Sequence, residues 1–147
     1  MQYSKSLPIA ALLLSLMAFP GVAQEKTGFY VLIEDQTNCL NLVQSLSEVT
    51  IYCLPKDPVI TSAEFESVSA IKYDKDLKTK YVNLKLTSDG FKTLKTLTTK
   101  LPDARIALLV GDKIVGIYDR KGKTLNRTMP ITGESPSIDW IYERLKK

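Results

Sequence analysis

The chain contains no histidine, only two cysteines and a single tryptophan. Without histidine there is no imidazole to act as general base, to complete a Ser-His-Asp triad or to ligate a metal. Two cysteines are too few for a four-thiolate zinc or iron–sulfur site. No Gly-x-Ser-x-Gly motif offers a nucleophile in a recognised setting. No run in the body of the chain is long and apolar enough to span a bilayer. What is present is ordinary globular material. The 147 residues are 44% hydrophobic and 24% charged, the size and balance of one domain with its own core.

The first 23 residues read as a secretory signal peptide. Lys5 supplies the positive start, Leu7–Phe19 the apolar stretch, and Gly21-Val22-Ala23 the small residues at a cleavage point. That stretch is about 13 residues long, against the roughly 20 needed to cross a membrane. An uncleaved anchor is the competing reading. No cysteine follows the apolar run at the cleavage point, which argues against a lipoprotein. Cleavage leaves 147 less 23, or 124 residues, expected in a periplasmic or extracellular compartment with no transmembrane segment. There, Cys39 and Cys53 are expected to form a disulfide, worth about 3 kcal/mol for a loop of about 15 residues. Two buried free thiols are the alternative.

Charge is distributed unevenly. Residues 24–71 carry two basic and seven acidic groups, net −5, whereas residues 72–128 carry fourteen basic and six acidic groups, net +8. The cations are mostly lysines alternating with Asp and Thr, among them Lys72, Lys75, Lys78, Lys80, Lys85, Lys92 and Lys95. Nucleic-acid recognition favours arginine with interleaved aromatics, so a solvated lysine-rich face is the expectation and a nucleic-acid partner is not. An acidic partner surface or anionic polymer stays open.

Strands are expected at Gly28–Ile33, Val49–Leu54, Glu66–Tyr73 and Tyr81–Leu86, the last with Val82, Leu84 and Leu86 on one face. Glu34–Glu48 reads as a short helix or an irregular loop. Thr87-Ser88-Asp89 starts a helix whose apolar positions are Phe91, Leu94, Leu97 and Leu101, ended by Pro102. Ala104–Val110, Gly111-Asp112 and Lys113–Tyr118 form the clearest hairpin. After the polar, basic loop Asp119–Arg127, Met129–Thr132 reads as an edge strand because Pro130 lacks an N–H. Ser135 and Pro136 open a terminal helix with Ile138, Ile141, Tyr142 and Leu145 on one face. The order of elements predicts an α+β fold: a mostly antiparallel sheet with helices packed on one face, a two-layer sandwich.

Residues 55–145 resemble the periplasmic head subdomain of the SecD/SecDF protein-export family. The resemblance rests on Pro58-Val59-Ile60-Thr61 with Phe65, and on Val82–Thr87 leading into Gly90-Phe91. It continues through Ile106–Val115 with its Gly111-Asp112 turn and ends at Ile131-Thr132-Gly133 before the last helix. It implies a fold and a habit of contacting polypeptide. It carries no catalytic motif, and the family's proton coupling belongs to transmembrane segments that are not found here. The chain departs from the family at residues 24–54, an N-terminal extension bearing both cysteines, and at Lys113, where the family usually shows glycine.

Candidate chemistry is sparse. Glu34/Asp35 and Glu64/Glu66 are the carboxylate pairs available to a glycosidase-like reaction. Asp74-Lys75-Asp76 and Glu34-Asp35 could donate oxygens to calcium but lack the spacing of a calcium loop, so polar turns are expected. Asn126-Arg127-Thr128 fits a glycosylation sequon. Trp140 falls off the apolar face of the terminal helix, as a binding anchor or as a cover for the sheet edge or a neighbouring loop. Met129 and Ile131 mark an edge strand to which a peptide could add. The leading expectation is an exported, non-enzymatic binding module for a protein or peptide, with no cofactor and no metal. An inhibitor or immunity-type protein and a small carboxylate-dependent hydrolase of envelope material are the alternatives, and the oligomeric state is open.

Overall fold

The computed structural model describes residues 26–119, 126–134 and 136–146. The expected signal peptide, most of the basic loop and Ser135 lie outside the described residues. The strands are β1 (Gly28–Val31), β2 (Leu42–Gln44), β3 (Ile51–Cys53), β4 (Ile60–Thr61), β5 (Phe65–Val68), β6 (Lys72–Asp74), β7 (Thr79–Leu86), β8 (Ile106–Val110), β9 (Lys113–Tyr118) and β10 (Thr128–Gly133). The helices are α1 (Ser88–Lys100), between β7 and β8, and α2 (Ser137–Leu145) at the end. The fold is an α+β sandwich of antiparallel sheets and two helices, as the pattern predicts.

One sheet runs β4-β1-β8-β9 and a second β10-β7-β5, with β6 pairing the start of β7. The two approach at β9 and β10, where the Tyr118 hydroxyl donates to the Pro130 carbonyl at 3.4 Å. The expected single strand over Glu66–Tyr73 is two strands, β5 and β6, both paired to β7. The Gly111-Asp112 turn joins β8 to β9, with Gly111 at φ +63°, where a side chain is costly.

The principal core collects Val82, Leu84 and Leu86 from β7, Ile106, Leu108 and Val110 from β8, and Met129 and Ile131 from β10. Leu94 of α1 and Ile138, Ile141 and Leu145 of α2 close it. Phe29 packs edge-on against Phe65 inside it, ring centroids 5.8 Å apart. Helix α1 begins as its sequence predicts: the Thr87 hydroxyl accepts from the Gly90 N–H at 3.1 Å, and Asp89 sits in the first turn. Helix α2 begins one residue later than expected, with Pro136 as its N-cap.

The expected extension is integral to the sheet. β1 is an interior strand, between β4 and β8. Its first residue must be glycine, because a Cβ there would lie 2.4 Å from the Ile60 carbonyl oxygen. The ambiguous segment Glu34–Glu48 is neither helix nor wholly irregular. It contains β2, which pairs with β3 to make a small hairpin. Val43, Tyr52 and Leu54 of that hairpin segment pack on Tyr30, Ala107, Leu109 and Ile114, the sheet face turned away from the helices. Both faces of β8 are therefore covered, which explains its unbroken apolar run Ile106–Val110.

Candidate functional site

The hairpin β2–β3 is fastened at one end. Cys39 and Cys53 are disulfide-bonded with Cα atoms 5.8 Å apart, inside the usual range for such a bridge. A formed disulfide is compatible with an oxidising compartment. Among the described residues, no helix is long and apolar enough to cross a membrane. Further bonds brace the same region. Leu54 N–H donates to the Asn41 carbonyl at 3.0 Å, Asn41 Nδ2 to the Pro55 carbonyl at 3.2 Å, and Ile33 N–H to the Cys53 carbonyl at 3.0 Å.

Between the Asp35–Asn41 loop and the Leu54–Pro58 segment opens a cleft of about 920 Å³. That is near the top of the roughly 300–1,000 Å³ range of ligand clefts. Tyr30, Leu54, Pro55 and the disulfide line it, with Lys26, Asp35, Lys56 and Asp57 as its charged groups. Leu40 stands at its wall with its side chain fully in solvent, 102% exposed. Ile33 and Leu42 flank Cys53 on either side in register, and both are exposed, as are Val49 and Ile51. An apolar surface thus continues from the cleft across the outer face of the hairpin. Contiguous exposed apolar residues of this kind mark an interaction surface more often than isolated ones do.

Two polar groups of the cleft, Tyr30 and Asp35, already hold bonds within the chain. The Tyr30 hydroxyl donates to the Lys26 carbonyl at 2.6 Å. Burial, and then the charge of Asp57, push its pKa up, so it stays protonated at neutral pH. Asp35 accepts from both the hydroxyl and the N–H of Thr37, and these bonds, the hydroxyl first, hold its carboxyl below the usual range. Glu34 forms a two-pronged pair with Arg105, at 2.9 and 2.8 Å, that holds its carboxyl low in the same way.

The other sequence candidates fall elsewhere. Glu64 accepts from the Thr61 N–H at 2.9 Å to close a short 3-10 turn. Glu66 pairs with Lys85 and Arg127 at 2.8 and 2.9 Å. Each of the four carboxylates considered for catalysis therefore already holds a structural partner. Asp74 accepts from the Asp76 and Leu77 N–H groups, the expected polar turn. Among the described residues no group of three or more Asp, Glu or Cys converges as a metal site.

Met129 and Ile131 require a correction as partner-binding residues. They are 6% and 1% exposed, and their side chains belong to the principal core. The reason is strand alternation: opposite Leu84 and Val82 of β7, they share the inward face. Only the backbone of this strand is at an edge, and Pro130 has no N–H to offer there. Trp140 is half-buried against the core. Arg144 stacks over its ring at 4.5 Å, and its far edge lies against the Gly111 turn. It covers a neighbouring loop.

The cleft was not legible as a site. Its signal in the sequence is indirect: Leu40, Leu42, Val49 and Ile51 alternate only over short stretches, and they lie between the two cysteines, ahead of a proline-punctuated segment. Neither a scan against protein-family models nor a search of characterised proteins returns a match to this chain.

Proposed function

We propose that the protein is an exported, non-enzymatic binding module that takes an extended peptide segment of another protein in the cleft beside the Cys39–Cys53 disulfide. The carrying observation is the continuity of an open cleft of about 920 Å³ with the exposed side chains of Leu40, Ile33 and Leu42. A buried small-molecule site would end at its own walls, whereas this surface runs on past them. A peptide matches it by placing one large apolar side chain in the cleft and laying its neighbours along the hairpin. Lys26, Asp35, Lys56 and Asp57 supply both signs of charge for orientation. The resemblance of residues 55–145 to the SecD/SecDF head subdomain supports a polypeptide ligand. The disulfide supports an oxidising compartment, and the features of residues 1–23 support export.

Panning a random peptide library against the protein tests the reading. Sequences with a large apolar residue should be enriched, and Leu40→Asp should weaken their binding at least tenfold while leaving the fold intact, since Leu40 touches only solvent. Failure to enrich any sequence, or equal binding by both proteins, overturns it. Export is tested separately: the N-terminus of the protein recovered from expressing cells should be Gln24, and a chain still beginning at Met1 argues against cleavage.

A further inference from the structure

The hairpin formed by β6 and β7 differs from the rest of the surface. Its turn, residues 75–78, reads Lys-Asp-Leu-Lys, and Leu77 at that turn is 70% exposed. Tyr73 is exposed on β6, directly opposite Lys80. On the other face Lys72 stands opposite Tyr81. Each face of the hairpin thus carries one tyrosine and one lysine, and Leu77 lies between Lys75 and Lys78 at the turn. No ion pair among the described residues engages Lys72, Lys75 or Lys78. Of the two acidic residues, Asp74 spends its Oδ1 on the Asp76 and Leu77 N–H groups.

A solvated lysine face requires neither an exposed leucine at its turn nor a tyrosine on each side. The backbone points the same way. Lys78 holds φ +52°, a left-handed position where glycine or asparagine is favoured, so the turn geometry does not itself call for the long cation found there.

We propose that the β6–β7 hairpin docks on an anionic lipid bilayer surface, with Leu77 entering the acyl boundary and Tyr73 and the lysines lodged among the headgroups. Strand rise sets Tyr73 about 7 Å behind the start of the turn, a depth matching the roughly 5–10 Å over which interfacial elements insert. Tyrosine favours that layer because its ring is apolar and its hydroxyl wet. Lysine stems lie along apolar groups while their heads reach lipid phosphates. An acidic protein partner would use the lysines but leave Leu77 without a role. The site is remote in sequence from the disulfide cleft and does not depend on peptide binding there.

The full chain carrying Leu77→Trp tests this, with the unsubstituted protein as reference for the emission of Trp140. Residues 1–23 are common to all variants, so position 77 is read by difference. Vesicles of phosphatidylcholine with phosphatidylglycerol should shift the added emission to the blue and shield it from an aqueous quencher; vesicles of phosphatidylcholine alone should not. Adding Lys75→Glu and Lys78→Glu should weaken the response at least tenfold, given about fivefold per lysine near such a surface. No shift on anionic vesicles overturns the proposal, as does an equal shift on neutral ones. An equal shift on soluble polyglutamate overturns it in favour of an acidic polypeptide partner.

Discussion

The two faces of β8 are covered by different means. Ile106, Leu108 and Val110 point into the principal core, where two helices and the strands β7 and β10 contribute large buried side chains. Ala107 and Leu109 point the other way, into a small cluster roofed by the β2–β3 hairpin. The first face is closed by packing, with α1 opened by the Thr87 cap. The second is roofed by strands of three residues each, too short to stand alone. A disulfide and a few backbone bonds supply what packing does not. Binding surfaces tend to lie where local stability is low, and here the open cleft borders the stapled roof.

The sharpest way to break this contrast is Leu108→Ala. It should cost about 3–5 kcal/mol, the range for a buried leucine leaving a cavity, and lower the denaturation midpoint of the whole domain. Removing the staple with Cys39→Ser and Cys53→Ser should cost up to about 3 kcal/mol in the loop-entropy account. The loss should begin locally: hydrogen exchange at Ile33 and Leu54 should accelerate before that at Val82 and Leu84. Uniform acceleration across both faces would dissolve the distinction. On the helix side, Thr87→Ala should cost about 1 kcal/mol by deleting the α1 cap, measured by chemical denaturation.

The smallest effect concerns pH at the edge of the stapled face. Arg105 holds the Glu34 carboxyl below its ordinary value, chiefly through the side-chain hydrogen bond. The pair therefore contributes fully above the ordinary carboxylate range and loses its contribution as pH falls through Glu34's lowered value. Both side chains are substantially exposed, so solvent screening keeps the effect small. In Arg105→Gln the Glu34 carboxyl, followed by NMR titration, should return to the ordinary range, and the acid side of the stability profile should flatten slightly.

Elements with a complete local signal were legible. β7 alternates, and Val82, Leu84 and Leu86 are its buried positions. α1 starts at a threonine cap, and the β8–β9 hairpin turns at Gly111. Asp74, at the end of β6, braces with its carboxylate the polar turn that holds Asp76. Glu34–Glu48 was not legible, because three-residue strands fall below the length at which a period shows. Met129 and Ile131 were misread for another reason. The edge position of their strand was right, but alternation turns their side chains inward, leaving only backbone at the rim. Trp140 was left open because helical geometry sets its angle around α2 and not what stands beside it, here Arg144 and the Gly111 turn.

The chain by itself determined its class of fold, its helix boundaries to within a residue, the pairing available to its two cysteines, and the separation of acidic from basic halves. Those properties follow from residue types at short spacing. Tertiary structure decided that residues 28–31 lie inside the sheet, that the apolar residues around Cys39 border an open cleft, and that Leu77 and Tyr73 stand among lysines on one hairpin. Each of these depends on which distant segment covers a given face. An apolar residue carries the same local preference whether a neighbour buries it or leaves it in solvent.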